Sequence, residues 1–392
     1  MAEQDTDQAA GRRTALIARR RRRAMRARLA LLLAGAALGL AGSATAMPPP
    51  SLSAALRLSD AQLAGQRVIY SYSGLTPPAR LLAQIRAGDA AGVIFFSDNI
   101  ASISQIRGVA RQLQRAAAAS PIKTPLLLMT DQEGGQVRRL PGPPYMSEKQ
   151  LGQSRNAVGA VQGAGRAAGR NLASAGLNVN LAPVLDVFRS PGNFIDEFGR
   201  SYSNRASTAA KLGAVFIGAQ QSVHVAAAAK HFPGLGAAAR SQNTDLVAVK
   251  LPLSLSTLRS VDEAPYAAAI KAGSDLVMVS WATYPALDRH RPAGLSATVV
   301  GSELRKRLRF TGVTITDALE AGALSAFGST ANRATLAAGA GMDLILCSSA
   351  NTNQGVAAQQ ALLAGLHSGK LSRKTFAAAA DRVLALRAAL GG

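Results

Sequence analysis

Short apolar runs, β-branched or alanine-rich and closed off by turn residues, alternate along this chain with longer stretches whose apolar positions recur at helical spacing. Eight such runs stand out, at 67–72, 92–96, 125–130, 179–187, 225–231, 275–280, 313–316 and 342–347. Between them lie amphipathic segments such as 102–119, 207–222, 254–272 and 372–390, several of which open on a serine suited to capping a helix. Strand and helix in strict alternation predict βα units around a parallel sheet. Eight units in a chain of this size predict an α/β fold of the TIM (β/α)8 type. No Ser/Gly linker, charge block or low-complexity tract interrupts the chain after its first fifty or so residues, so 61–392 is expected to form a single domain.

The first residues follow a different logic. The basic run 19–28 leads into the apolar stretch 29–42 and then Ala44-Thr45-Ala46, the order of an export signal. The apolar part is shorter than the ~20 residues a membrane-spanning helix needs, so removal of 1–46 is expected, with an uncleaved signal anchor as the alternative. Residues 47–60, Pro-rich at their start, are expected to be a tether. The only cysteine, Cys347, excludes an internal disulfide despite the expected export.

Charge narrows the partners. Of the formal net charge of +22, about +6 belongs to the leader, with nine arginines against Glu3, Asp5 and Asp7, and about +16 remains beyond it. That balance suits an anionic cell envelope. Nucleic acid is not expected, because aromatic residues make up only 4% of the chain and offer no stacking platform. The segment GAGRAAGR (163–170) imitates a dinucleotide fingerprint but has the wrong spacing and lies in alanine-rich helix. Neither a phosphate-binding P-loop, a His-Glu-x-x-His pair nor a Cys/His cluster is present, so no cofactor and no metal is expected.

In a TIM barrel the chemistry sits at the C-terminal ends of the strands. Six of the runs end there in polar residues: Asp98-Asn99, Asp131-Gln132-Glu133, Asp186, Lys230-His231, Ser280-Trp281 and Asp317. One polar end is an ordinary helix cap, whereas six together describe a polar, concave mouth. In MTDQEGGQVRRL (129–140) a turn accounts for Glu133-Gly134-Gly135 but not for Asp131 beside Arg138 and Arg139. Asp317 reads equally well as a cap or as a strand-end nucleophile or base. His224, at the start of the fifth run, reads as structural.

The motifs DQEGGQVRR, NLAPVLDV (180–187), FGRSYSN (198–204), KHFPGLG (230–236) and ITDALEAGA occur in order, and with them the chain resembles glycoside hydrolase family 3, in its single-domain β-N-acetylhexosaminidase type. The resemblance covers nearly everything from residue 61 onward. It implies an exported retaining exo-β-glycosidase that cleaves a terminal β-linked sugar, commonly N-acetylglucosamine, from cell-wall or chitin-derived glycans through a covalent glycosyl-enzyme. By motif position Asp317 is the implied nucleophile, and Asp131, Arg139, Arg200, Lys230 and His231 the implied sugar-binding residues.

One stretch departs from the family pattern. Where the hexosaminidase type carries Asp-Ser-His, with its histidine as general acid/base, this chain has Ser241, Gln242 and Asn243. Asp245 is the nearest ionisable group, so it is the candidate proton donor, carried on a loop that approaches Asp317 when sugar binds. The alternative for Asn243-Thr244-Asp245 is a plain Asx turn. The departure leaves three further functional readings open: a barrel that binds sugar without turnover, a β-glucosidase-type enzyme and a phosphorolytic variant.

Overall fold

Each of the eight apolar runs contributes one strand. The computed structural model of the protein describes residues 54–391, and its barrel strands are β1 (Val68–Tyr70), β2 (Gly92–Ile94), β3 (Leu127–Thr130), β4 (Val179–Asn180), β5 (Ala226–Phe232), β6 (Leu276–Val279), β7 (Val313–Thr316) and β8 (Ile345–Leu346). All neighbours are parallel, in the order β8-β1-β2-β3-β4-β5-β6-β7. The ring closes between β7 and β8, where Leu344 donates its N–H to the carbonyl of Thr314 at 2.9 Å and accepts from Thr316 N–H at 3.0 Å. This is the expected (β/α)8 barrel in one domain. The leader 1–46 and the first part of the tether lie outside the described residues.

Alternation along the strands sorts the core into two shells. Ile69, Ile94, Leu127, Met129, Val179, Leu276 and Ile315 pack together inside the barrel. Their neighbours Val68, Tyr70, Val93, Leu128, Val277 and Val279 join a second cluster with the outer helices. Strands buried on both faces need side chains that are apolar throughout, which is why the runs in the sequence are continuous rather than alternating. Val383 and Leu386 of the last helix, Arg373–Ala389, belong to the inner cluster and so close the barrel at the end opposite the mouth.

Two differences from the sequence reading have local causes. The run 179–187 is strand only at its start, because Pro183 has no N–H to give to a ladder. Beyond it the chain rejoins β5 through Leu185, which donates to the carbonyl of Lys230 at 2.7 Å. The segment 254–272 is not one helix: Ser254 caps Leu255–Thr257, a π-turn follows over Leu258–Asp262, and Pro265 opens Ala264–Lys271. The GAGRAAGR segment lies within the helix Ala157–Ser174, where Gly165 and Gly169 serve close packing. A Cβ on Gly165 would come within 2.7 Å of the Phe216 carbonyl oxygen of the neighbouring helix.

Candidate active site

All seven residues singled out from the sequence line one cavity of about 560 Å³ at the C-terminal ends of the strands: Asp131, Arg139, Arg200, Lys230, His231, Asp245 and Asp317. Four strands, β3, β4, β5 and β7, or the loops beyond them supply these groups, so the barrel itself fixes their mutual positions.

The wall nearest β3 is built around paired charges. After β3 the chain folds into a short hairpin, Gln132–Gly134 against Val137–Arg138, pinned by the Gln132 side-chain oxygen, which accepts from the N–H groups of Arg139 and Leu140 at 3.1 and 3.0 Å. The hairpin brings Asp131 and Arg139 to the same rim. Lys230, at the end of β5 and 2% exposed, reaches Asp131 at 2.7 Å and Glu133 at 2.8 Å. Arg200 grips both oxygens of Glu133, at 3.0 and 2.8 Å. Burial alone would raise the Glu133 carboxyl, but Arg200 and Lys230 outweigh it and hold the group at about 2. For Lys230 burial acts downward, and Asp131 and Glu133 reverse it into a raised value. Two cations and two carboxylates therefore cancel. Arg139 keeps its buried Nε without a hydrogen-bond partner among the described residues.

His231 is oriented from behind. Its Nδ1 lies 2.7 Å from Oδ2 of the fully buried Asp186, whose Oδ1 accepts the N–H groups of His231 at 3.3 Å and Leu235 at 2.6 Å. A carboxylate on Nδ1 leaves Nε2 as the ring atom free to meet a ligand.

The opposite wall has no such cancellation. Asp317 follows β7 directly and accepts the N–H of Ala318 at 2.8 Å. Asp245 sits on the loop after β5, in an Asx turn where Asn243 Oδ1 accepts its N–H at 2.8 Å. The turn and the cavity position coexist. That loop is also braced: the carbonyls of Asp245 and Thr244 accept from Gly322 and Ala323, at 2.8 and 3.0 Å. Gly322 is what allows this approach, since a Cβ there would lie 2.1 Å from the Leu246 carbonyl oxygen. Although Asp245 is exposed at the rim, desolvation by the surrounding wall and then the charge of Asp317 push its carboxyl up to about 6, against the pull of His231 and Arg200.

Sequence reasoning treated Glu133 as part of a turn and did not foresee Glu148 or Glu320. Glu148 is buried beside this network, its carboxylate oxygens accepting the N–H of Val184 at 2.9 and 3.2 Å, and burial followed by the charge of Glu133 pushes it well above the usual range. Glu320 also lines the cavity, held by the Ser348 hydroxyl at 2.7 Å and the Gln354 amide at 2.9 Å. The partners of Glu133 and Glu148 lie 36 to 97 residues away, and no local pattern encodes them. Among the described residues no group of three or more His, Cys, Asp or Glu is arranged to hold a metal ion.

Several known proteins are similar to this chain. The family model "Glycosyl hydrolase family 3 N terminal domain" matches residues 61–386. A protein of Arthroderma benhamiae named "Uncharacterized secreted glycosyl hydrolase" is 45% identical over 338 residues, covering 86% of this chain and 95% of the fungal one. Beta-hexosaminidase A of Pseudoalteromonas piscicida is 31% identical and matches 69% of this chain but 48% of its own length. Among solved structures, a glycoside hydrolase family 3 beta-N-acetylglucosaminidase from Paenibacillus sp. superposes with a TM-score of 0.81 at 34% identity, over 86% of this chain and 64% of that one. The chain thus spans about half of one relative and just under two thirds of the other.

Proposed function

The chain belongs to glycosyl hydrolase family 3, and from that premise we propose that it is an exported, retaining exo-β-glycosidase that releases terminal β-linked N-acetylhexosamine from cell-wall or chitin-derived glycans. The observation that carries this reading is the meeting of two carboxyl groups, Asp317 and Asp245, in one cavity, with Asp245 raised to about 6 and so protonated over part of the working range. A carboxyl raised in this way, beside a second carboxyl in the same cavity, suits the acid of an acid and nucleophile pair.

In the first step Asp317 attacks the anomeric carbon and the glycosidic C–O bond breaks, while Asp245 gives its proton to the departing oxygen. In the second, Asp245 takes a proton from water, the water oxygen bonds to the anomeric carbon, and Asp317 leaves. Asp131, Arg139, Arg200, Lys230 and His231 hold the sugar hydroxyls, and the cancelled charges of their wall suit an uncharged ligand. The names of the Pseudoalteromonas and Paenibacillus proteins support the amino-sugar specificity. Export is supported by the pattern of 1–46 and by the name of the fungal relative.

A panel of aryl glycosides tests the reading: β-N-acetylglucosaminide, β-glucoside, β-xyloside and α-arabinoside. Preferred turnover of the first is expected. Preference for the β-glucoside overturns the specificity, and turnover of none leaves a sugar-binding barrel.

A further inference from the structure

Away from the mouth, one flank of the barrel gathers cations with no acid among them. The outer helices after β2 and β3 are Ile103–Ala118 and Ala157–Ser174, and the sequence has no Asp or Glu from 99 to 130 or from 149 to 185. Arg107, Arg111 and Arg115 follow one another at four-residue steps on the first helix, and Arg166 and Arg170 do so on the second; all five are exposed. Residues at this spacing share a helix face. Ser174 is the next position of the second row, and Arg107 donates from Nε to its carbonyl, so the two rows join end to end. At 1.5 Å of rise per residue each full row covers about 12 Å, and the joined stripe roughly 30 Å.

None of the five arginines takes part in an ion pair among the described residues. Several other arginines do meet an acid: Arg240 meets Glu197, Arg259 meets Glu303, Arg373 meets Asp60 and Arg382 meets Asp343. Like charges four apart weaken a helix, so the helix gains nothing from its own row.

We propose that this stripe docks an extended polyphosphate-like polymer, a linear chain without bases that is gripped through its phosphates alone. Arginine, used at all five positions, offers the planar fork that matches phosphate oxygens two at a time. The stripe is one residue wide, the shape of a strand and not of a plane. Of the large apolar side chains exposed on the described surface, only Val158 belongs to either helix, two turns before Arg166, so the stripe has nothing to insert into lipid and no ring on which a base stacks. Docking there leaves the cavity at the barrel's end open.

The test measures binding of long-chain inorganic polyphosphate to the full chain over a range of salt. The variant R111Q/R115Q/R166Q/R170Q is expected to bind at least tenfold more weakly at low salt, with a log–log salt dependence shallower by roughly 3, about 0.7 for each of the four lost phosphate contacts. A control losing the same charge elsewhere, R289Q/R291Q/K370Q/K374Q, is expected to change affinity by less than about twofold. The leader's arginines are common to all three proteins, so the difference between variants reports the flank. Equal losses in both variants overturn the proposal in favour of diffuse charge, and absence of polyphosphate binding by the parent overturns it outright. Stripe-dependent binding only to phosphatidylglycerol vesicles, or only to a single-stranded oligonucleotide, overturns the polymer as partner. Turnover of aryl glycosides by both variants is expected to equal the parent's, which keeps this outcome separate from the proposed catalysis.

Discussion

The two walls of the cavity carry the same kinds of side chain and use them in opposite ways. On the β3–β5 wall Glu133 and Asp131 each have a cation within 2.8 Å: Glu133 is held by Arg200 and Lys230, and Asp131 by Lys230. On the β7 wall Asp245 and Asp317 share the cavity and neither forms an ion pair among the described residues, while the charge of Asp317 helps to raise the Asp245 carboxyl. A compensated network is rigid and presents hydrogen-bond groups without a net field, which suits recognition of hydroxyls. Uncompensated carboxyls keep their reactivity and pay in mutual repulsion, as functional sites commonly do.

Replacing the proposed nucleophile breaks the comparison on its reactive side. Asp317→Asn keeps the shape, and turnover is expected to fall by about three decades or more. A 2-fluoro-sugar inactivator is expected to label the peptide that contains Asp317 in the parent; label on another peptide contradicts the assignment. Asp245→Ala comes next, with an expected loss on the order of 10²- to 10³-fold for a poor leaving group, little loss for an activated aryl one, and recovery of rate on adding azide. Because an acid must hold its proton to donate it, kcat/KM of the parent on the poor leaving group is expected to fall as pH rises through about 6, and this limb is expected to vanish in the variant. A uniform modest loss without azide rescue makes Asp245 a structural turn.

The compensated wall answers in stability. Glu133→Gln strips Arg200 and Lys230 of a shared buried partner, and denaturant melts are expected to show a loss of about 3 kcal/mol at neutral pH. A folded-state carboxyl held near 2 adds stability that is present above the unfolded value of about 4.5 and disappears as pH falls through 2. The parent is therefore expected to lose more stability than Glu133→Gln between pH 5 and pH 2. If the two lose the same amount, the network is not what distinguishes the walls.

The strands were readable because burial on both faces writes an unbroken apolar run into the sequence, and 313–316 matched β7 at both ends. Prediction overran where a backbone group settled the matter, as at Pro183, or where register with a distant strand did, as at β8. Site residues at strand ends were readable for the same reason: a charge after an apolar run is conspicuous. Glu148 was not, because its carboxylate meets Val184, 36 residues away, and its own surroundings in sequence are those of an ordinary capped helix. The brace between Asp245 and Gly322 was equally hidden, since the small residues Ala321, Gly322 and Ala323 fit any loop, and the sequence instead suggested a loop free to close.

The seam that closes the barrel bears on when the protein first becomes competent. Thr316 donates to Leu344 and accepts the N–H of Leu346 at its hydroxyl, and Leu319 donates to the Leu346 carbonyl, so Asp317 lies between two residues fastened to β8. β8 leaves the ribosome after the other seven strands of the barrel. A chain whose synthesis has reached residue 340 already contains all seven residues singled out above and can pair β7 with β6, yet it lacks the β8 contacts on either side of Asp317 and the Leu346 and Ser348 that line the cavity. The finished cavity therefore depends on strand order: it is complete only once β8 has been made and has paired with β7.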